Sequence, residues 1–177
     1  MRAILHNQIT SLGTARGLGY GLSKAASAAV NARGSGYRLG DTLTVGGTWL
    51  AACTLRVDAV DGLGGVVSVT VLTPGCVVSG SKPSAPTATT VSPAGGTGCT
   101  VTVTYTDDAI PDGVGRIDFQ AESQTVRWRD DGTAPTSTTG FTLAVGSTKS
   151  YEGASLGSVK VIEATSGAKL NVTMYAL

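Results

Sequence analysis

The sequence predicts an all-β fold: two small β-sandwich or barrel-like modules preceded by an extended N-terminal arm. Three observations carry this. Glycine occurs 25 times in 177 residues, and it recurs between short runs rich in Thr and Val, where chain reversals call for residues that accept positive φ. Within those runs apolar and polar residues alternate with period two, the mark of a half-buried strand. No stretch has the 3.6-residue apolar periodicity of a long amphipathic helix, which excludes a doubly wound α/β enzyme fold.

Residues 1–30 are expected to form the arm. Ile4, Leu5, Ile9, Leu12, Leu18 and Tyr20 are scattered among Gly13, Gly17, Gly19 and Gly21. Such a segment buries too little surface to order itself alone, yet it is too apolar for a solvated tail. Two readings stand: an arm laid on a neighbouring subunit or lattice, or an extension folded back onto its own domain. The first makes Ile4, Leu5, Ile9, Leu12 and Tyr20 candidate interface residues. Residues 23–32, SKAASAAVNA, admit either a short alanine-rich helix capped by Ser23 or a strand. Because the segment runs into Gly34 and Gly36, its second half reads as strand.

The first module, residues 31–106, opens on NARGSGYRLGDTLTVGG. Its glycines mark close turns, Tyr37 is expected to pack, and Leu43 and Val45 alternate along a strand. In residues 53–60, Cys53, Leu55, Val57 and Ala59 face one way while Thr54, Arg56 and Asp58 face the other. Asp61-Gly62 is a turn signal, and residues 66–72 are β-branched almost throughout, so the pair reads as a hairpin. Residues 82–93 hold three prolines and are expected to be extended, on a sheet edge. Residues 99–104 then alternate Cys99, Val101 and Val103 against three threonines.

The acids, proline and glycines of residues 106–115 mark a module boundary. The second module, residues 107–177, reads as strands near 117–121, 125–129, 141–145, 158–163 and 170–175. Asp131-Gly132, Gly140, Gly146, Gly153 and Ser166-Gly167 separate them. Strands at these spacings suit a small sandwich or barrel.

The chemistry offered by the side chains is sparse. Charged residues make up 14% and the net charge is +1, against a charged share of roughly 25% in ordinary soluble domains. No basic field points to nucleic acid, and no apolar run approaches a membrane span or a signal-peptide core. Cys53, Cys76 and Cys99 are odd in number and equally spaced; they read as small buried hydrophobes in strands. The single histidine, His6, lies in the expected arm, away from any rigid triad or zinc site. Asp107/Asp108 and Asp130/Asp131 resemble carboxylate pairs for glycosidic or calcium chemistry, but each sits where Asp serves turns. No catalytic residue, metal ligand or cofactor is therefore assigned, and the chain is read as non-enzymatic. Arg127-Trp128-Arg129 is the most unusual cluster: on a strand, both arginines face away from the indole. Arg127 and Arg129 are candidate interface residues. Trp128 is core or a stacking platform for a sugar, and Trp49, beside Gly46-Gly47, is a candidate contact residue.

In its order of motifs, the chain resembles a module of tailed-bacteriophage virion proteins over residues 31–105. The opening stretch is followed by Ala59-Val60-Asp61-Gly62, Val66-Val67-Ser68-Val69, Pro74-Gly75, the Pro-rich segment and the strand after Gly95-Gly96-Thr97-Gly98. Residues 126–136, VRWRDDGTAPT, and 168–175, AKLNVTMY, are similar to a loop and a last strand of phage structural proteins. Arg33 stands where a second glycine is common in the family. The resemblance implies a non-enzymatic virion structural protein, foremost a capsid decoration (cement) or minor capsid protein. A head–tail collar, tail or fibre component is the alternative, and a host-glycan-binding module is the alternative of another class. It further implies the major capsid protein or other virion proteins as partners, a homo-oligomer such as a trimer, no nucleic acid or membrane partner, and location in the virion after assembly in the host cytoplasm.

Overall fold

A computed structural model describes residues 2–92, 95–153 and 155–176. Met1 of the expected arm, Pro93 of the Pro-rich segment and Leu177 of the second module lie outside the described residues. The fold is all-β, with three antiparallel sheets and, among the described residues, only two one-turn 3-10 helices, Ser79–Ser81 and Leu156–Ser158.

Strand β1 is Arg2–Ile9 and β2 is Arg16–Gly17. They are followed by β3 (Leu22–Ser35), β4 (Thr42–Val45), β5 (Thr54–Val60), β6 (Val66–Thr73), β7 (Val77–Val78), β8 (Thr87–Ser92) and β9 (Thr97–Asp107). The last six are β10 (Val114–Glu122), β11 (Val126–Arg129), β12 (Phe141–Leu143), β13 (Thr148–Glu152), β14 (Lys160–Glu163) and β15 (Lys169–Ala176). The chain divides into two compact units, one of residues 1–21 with 108–177 and one of residues 22–107.

This division corrects the expected arm at 1–30. Strand β1 pairs antiparallel with β15 from Arg2↔Ala176 to Ile9↔Leu170, so the segment is folded back onto its own domain. Ile9, Leu12 and Leu18 are each only 1% exposed. Burying each is worth about 1.5–3 kcal/mol, which is what orders a segment that cannot order itself. Residues 22–30 are not arm either. They begin β3, which pairs with β9 from Ser23↔Asp107 to Ser35↔Thr97; the long β9 supplies the ladder that settles strand over helix for this alanine-rich run.

The unit of residues 1–21 and 108–177 has two four-stranded sheets, β1-β15-β10-β13 and β12-β11-β14-β2. Period-two patterning decides the inner faces: Ile117, Phe119 and Ala121 of β10 and Leu170, Val172 and Met174 of β15 are fully buried. Phe119 meets Trp128 of the other sheet edge-on, ring centroids 5.8 Å apart, so the apolar faces of the two sheets form one core.

The unit of residues 22–107 is one seven-stranded sheet in the order β6-β5-β4-β8-β9-β3-β7. Strands β3 and β6 are not ladder neighbours, yet they lie alongside each other, so the sheet curls round its core. That core includes Tyr37, Leu43, Val45, Leu55, Val57 and Val101, together with Cys53 and Cys99. The hairpin predicted from residues 53–72 is β5–β6. The Pro-rich segment differs from expectation: its second half is β8, an interior strand between β4 and β9, because Thr87 onward carries no proline among the described residues and retains its backbone donors.

Candidate functional site

The candidate interface residues separate on folding. On β1, Ile4 is 39% exposed and Leu5 half-buried, whereas Ile9, and Leu12 beyond the strand, are buried. Those last two are therefore core residues and not surface contacts: Ile9 follows the period-two alternation of β1, and Leu12, in the segment after it, is held against β14 where its carbonyl accepts from the Glu163 amide at 3.1 Å. Tyr20 is half-buried; the Arg16 guanidinium lies over its ring at 4.3 Å and its carbonyl accepts from Asn7 Nδ2 at 3.0 Å. His6 lies on the outer face of β1, its Nδ1 3.0 Å from Thr173 Oγ1.

Trp49 belongs to the other unit. Its Nε1–H donates to the Gly46 carbonyl at 3.0 Å and its ring stacks on Tyr105, centroids 6.1 Å apart. It packs against the core and offers only part of its surface.

Arg127 and Arg129 lie close to one surface pocket. Strand β11 alternates so that Val126 and Trp128 are buried while both arginines are half-buried. Arg127 Nη1 donates to the Gly140 carbonyl at 3.3 Å and to Thr142 Oγ1 at 2.5 Å, tying β11 to the far end of the 130–140 loop. Arg129 grips Asp131 through two bonds, Nε–Oδ1 at 3.2 Å and Nη2–Oδ2 at 2.5 Å. Asp131 also accepts from the Thr133 amide at 3.0 Å. Pro135 of this loop is buried, and Thr136 Oγ1 accepts from the Thr138 and Thr139 amides at 3.3 and 3.0 Å. The loop is thus held by its own bonds.

Around it lies a pocket of about 410 Å³ lined by Arg129, Asp130, Asp131, Gly140 and Phe141. Sequence reading missed Phe141 as a surface group. Paired with Trp128 in the ladder, it shares the inner face with Leu143, and alternation alone makes both core. Leu143 is 6% exposed but Phe141 is 60%, because Phe141 is the first residue of a three-residue strand at the edge of its sheet. Trp128, the ring suggested by sequence as a platform, is 8% exposed and packed by Phe119, Phe141 and Tyr151. A broader hollow of about 430 Å³ in the other unit, along Gly46, Thr48, Pro83 and Pro86, has no ionisable side chain among its described lining residues.

The acids behave as turn and pairing groups. Arg129 and the Thr133 amide hold the Asp131 carboxyl down at about 2. Asp107 is held low by Lys82, at 2.5 Å, and by Ser23. The Asp61 carboxyl is lowered by the Gly65 and Leu63 amides that it caps, and Asp118 is lowered by Arg116. General acids need the opposite shift. Burial pushes Cys53 up to about 11 and raises Cys76 and Cys99; all three are free and buried. No group of ligating side chains suited to a metal occurs among the described residues.

The Asp131 shift makes a prediction. A carboxyl depressed from 3.8 to about 2 in the folded chain contributes stability that is complete above the unfolded value and is lost as pH falls through the folded one. In an NMR titration the Asp131 carboxyl is expected to titrate near 2, and its midpoint to rise toward 3.8 in Arg129→Gln. An unchanged midpoint in that variant would assign the shift to the Thr133 amide instead.

No protein-family profile, curated protein or solved structure matches the chain.

Proposed function

We propose that the chain is a non-enzymatic structural protein of a tailed-bacteriophage virion, a capsid decoration or minor capsid protein that binds neighbouring subunits and stabilises the head. The sequence resemblance supplies the class. The structural observation that carries the binding role is a pre-organised apolar tip on the unit of residues 22–107. Leu39 is 70% and Leu63 86% exposed. Their loops are bound together by Tyr37 N–H to the Gly64 carbonyl at 2.9 Å, Gly36 N–H to the Leu63 carbonyl at 3.5 Å, and the Arg33–Asp61 pair at 3.4 Å. Exposed leucines on a fixed frame gain from burial against a partner without an ordering cost in the loops.

Depressed carboxylates and buried thiols support a role without acid–base or thiol chemistry. The packing of both indoles counts against a glycan reading that uses Trp49 or Trp128.

The test is the virion itself. Quantitative mass spectrometry is expected to find hundreds of copies per particle, and heads lacking the protein are expected to lose heat resistance that the purified chain restores and a Leu39→Ser/Leu63→Ser variant does not. A copy number of a dozen or fewer would move the protein to the collar or tail. Absence from the virion would overturn the proposal.

A further inference from the structure

We infer that the pocket at the β11–β12 corner is a carbohydrate site that takes a neutral hexose residue, with Phe141 as its platform. This rests on the pocket alone and holds or fails independently of a virion role. Phe141 is an exposed aromatic that is nonetheless fixed: one side of its ring leans on Trp128, centroids 4.9 Å apart and tilted by 36°, and the rest faces solvent. A rigid ring of this kind offers contact area with little conformational entropy to lose. Beside it stand two planar polar groups. Arg129 commits one edge to Asp131 and keeps its remaining N–H groups for a ligand. Asp130 Oδ2 accepts from Tyr151 Oη–H at 3.2 Å, and that carboxylate retains acceptor capacity on Oδ1.

The class of ligand follows from elimination. Arg127, bound to the Gly140 carbonyl of the lining, and Arg129 balance Asp130 and Asp131, so the corner favours neither anion nor cation. A wholly apolar ligand would strip water from Arg129 and Asp130 and give nothing back. A pyranose has a C–H face for Phe141 and adjacent hydroxyls that both accept from Arg129 and donate to Asp130. The volume of about 410 Å³ falls within the range of roughly 300–1,000 Å³ typical of small-ligand sites. The 130–140 loop is already set by Asp131, Pro135 and Thr136, so binding orders nothing new.

The experiment probes an array of neutral hexose and N-acetylhexosamine oligosaccharides, bacterial surface polysaccharide fragments included, with the full chain and three variants. The wild-type chain is expected to retain at least one hexose-containing glycan. Phe141→Ala and Asp130→Asn are each expected to weaken that binding about tenfold or more while the chain stays folded. Phe141→Leu keeps apolar bulk without the ring; it is expected to fold and to lose binding likewise, which guards against an alanine variant that fails to fold. No retained glycan, or a glycan retained equally by Phe141→Leu, would overturn the assignment.

Discussion

Deletion of residues 1–21 is expected to unfold the unit that they share with residues 108–177. The deletion removes β1 from the edge of its sheet, with the ladder from Arg2↔Ala176 to Ile9↔Leu170. It also removes three side chains that are each 1% exposed, Ile9, Leu12 and Leu18. At about 1.5–3 kcal/mol per side chain the apolar loss alone is roughly 5–9 kcal/mol, comparable with the roughly 5–15 kcal/mol that holds an ordinary domain folded. The freed edge of β15 would in addition present unpaired backbone groups and promote association. The measurement is a ¹⁵N correlation spectrum of the truncated chain. Dispersed signals from residues 108–176 are expected to collapse, while those of residues 22–107, which have their own core, persist. An intact spectrum would restore the reading of these residues as an arm that serves a neighbour.

Gly96→Ala is expected to cost the unit of residues 22–107 stability only while Tyr37 is present. A Cβ at Gly96 would stand 2.2 Å from Tyr37 Cδ1 and 2.4 Å from Cγ and Cε1. The ring cannot step aside cheaply. It is 3% exposed, its hydroxyl accepts from the buried Cys99 amide at 3.0 Å, and its own amide donates to the Gly64 carbonyl at 2.9 Å. Overpacking of this kind costs about 1–3 kcal/mol. Tyr37→Ala removes the obstacle, at its own cost, so adding Gly96→Ala to it should change urea stability little; the coupling between the two sites is then close to the whole single-variant effect. Additive costs would show that the glycine serves the backbone of its loop and not the ring. Tyr37→Phe, which leaves the Cys99 amide without an acceptor, is expected to cost about 1–3 kcal/mol by itself.

These residues also show how far the chain can be read without its structure. NARGSGYRLGD announces a glycine-framed corner around a packed tyrosine, and Tyr37 is indeed buried. The same string reads as the start of the module, whereas its first five residues end β3. Nothing local reveals that, since the partner of β3 is β9, far along the chain. Strand β13 was missed for a different reason. Its residues Thr148–Glu152 alternate only between exposed and half-buried, so an edge strand with Lys149 and Tyr151 on its inner side carries no apolar rhythm. The candidate site was half legible: Arg127, Arg129 and the 130–136 loop stood out by composition, but Phe141 did not.

What the sequence by itself determined is the all-β class, most strand positions and, for the strands with an apolar rhythm, which side is apolar. Period two and glycine punctuation belong to the chain locally and need no partner to be read. Only the tertiary structure decided that residues 2–21 complete the C-terminal unit, that Ile9 and Leu12 are core, and that Trp128 is covered while Phe141 is bare. Each of those outcomes depends on which strand lies beside which and where a sheet ends. In an antiparallel fold whose pairings join residues as distant as Arg2 and Ala176, neighbours and edges are set by the whole assembly of strands and not by any one of them.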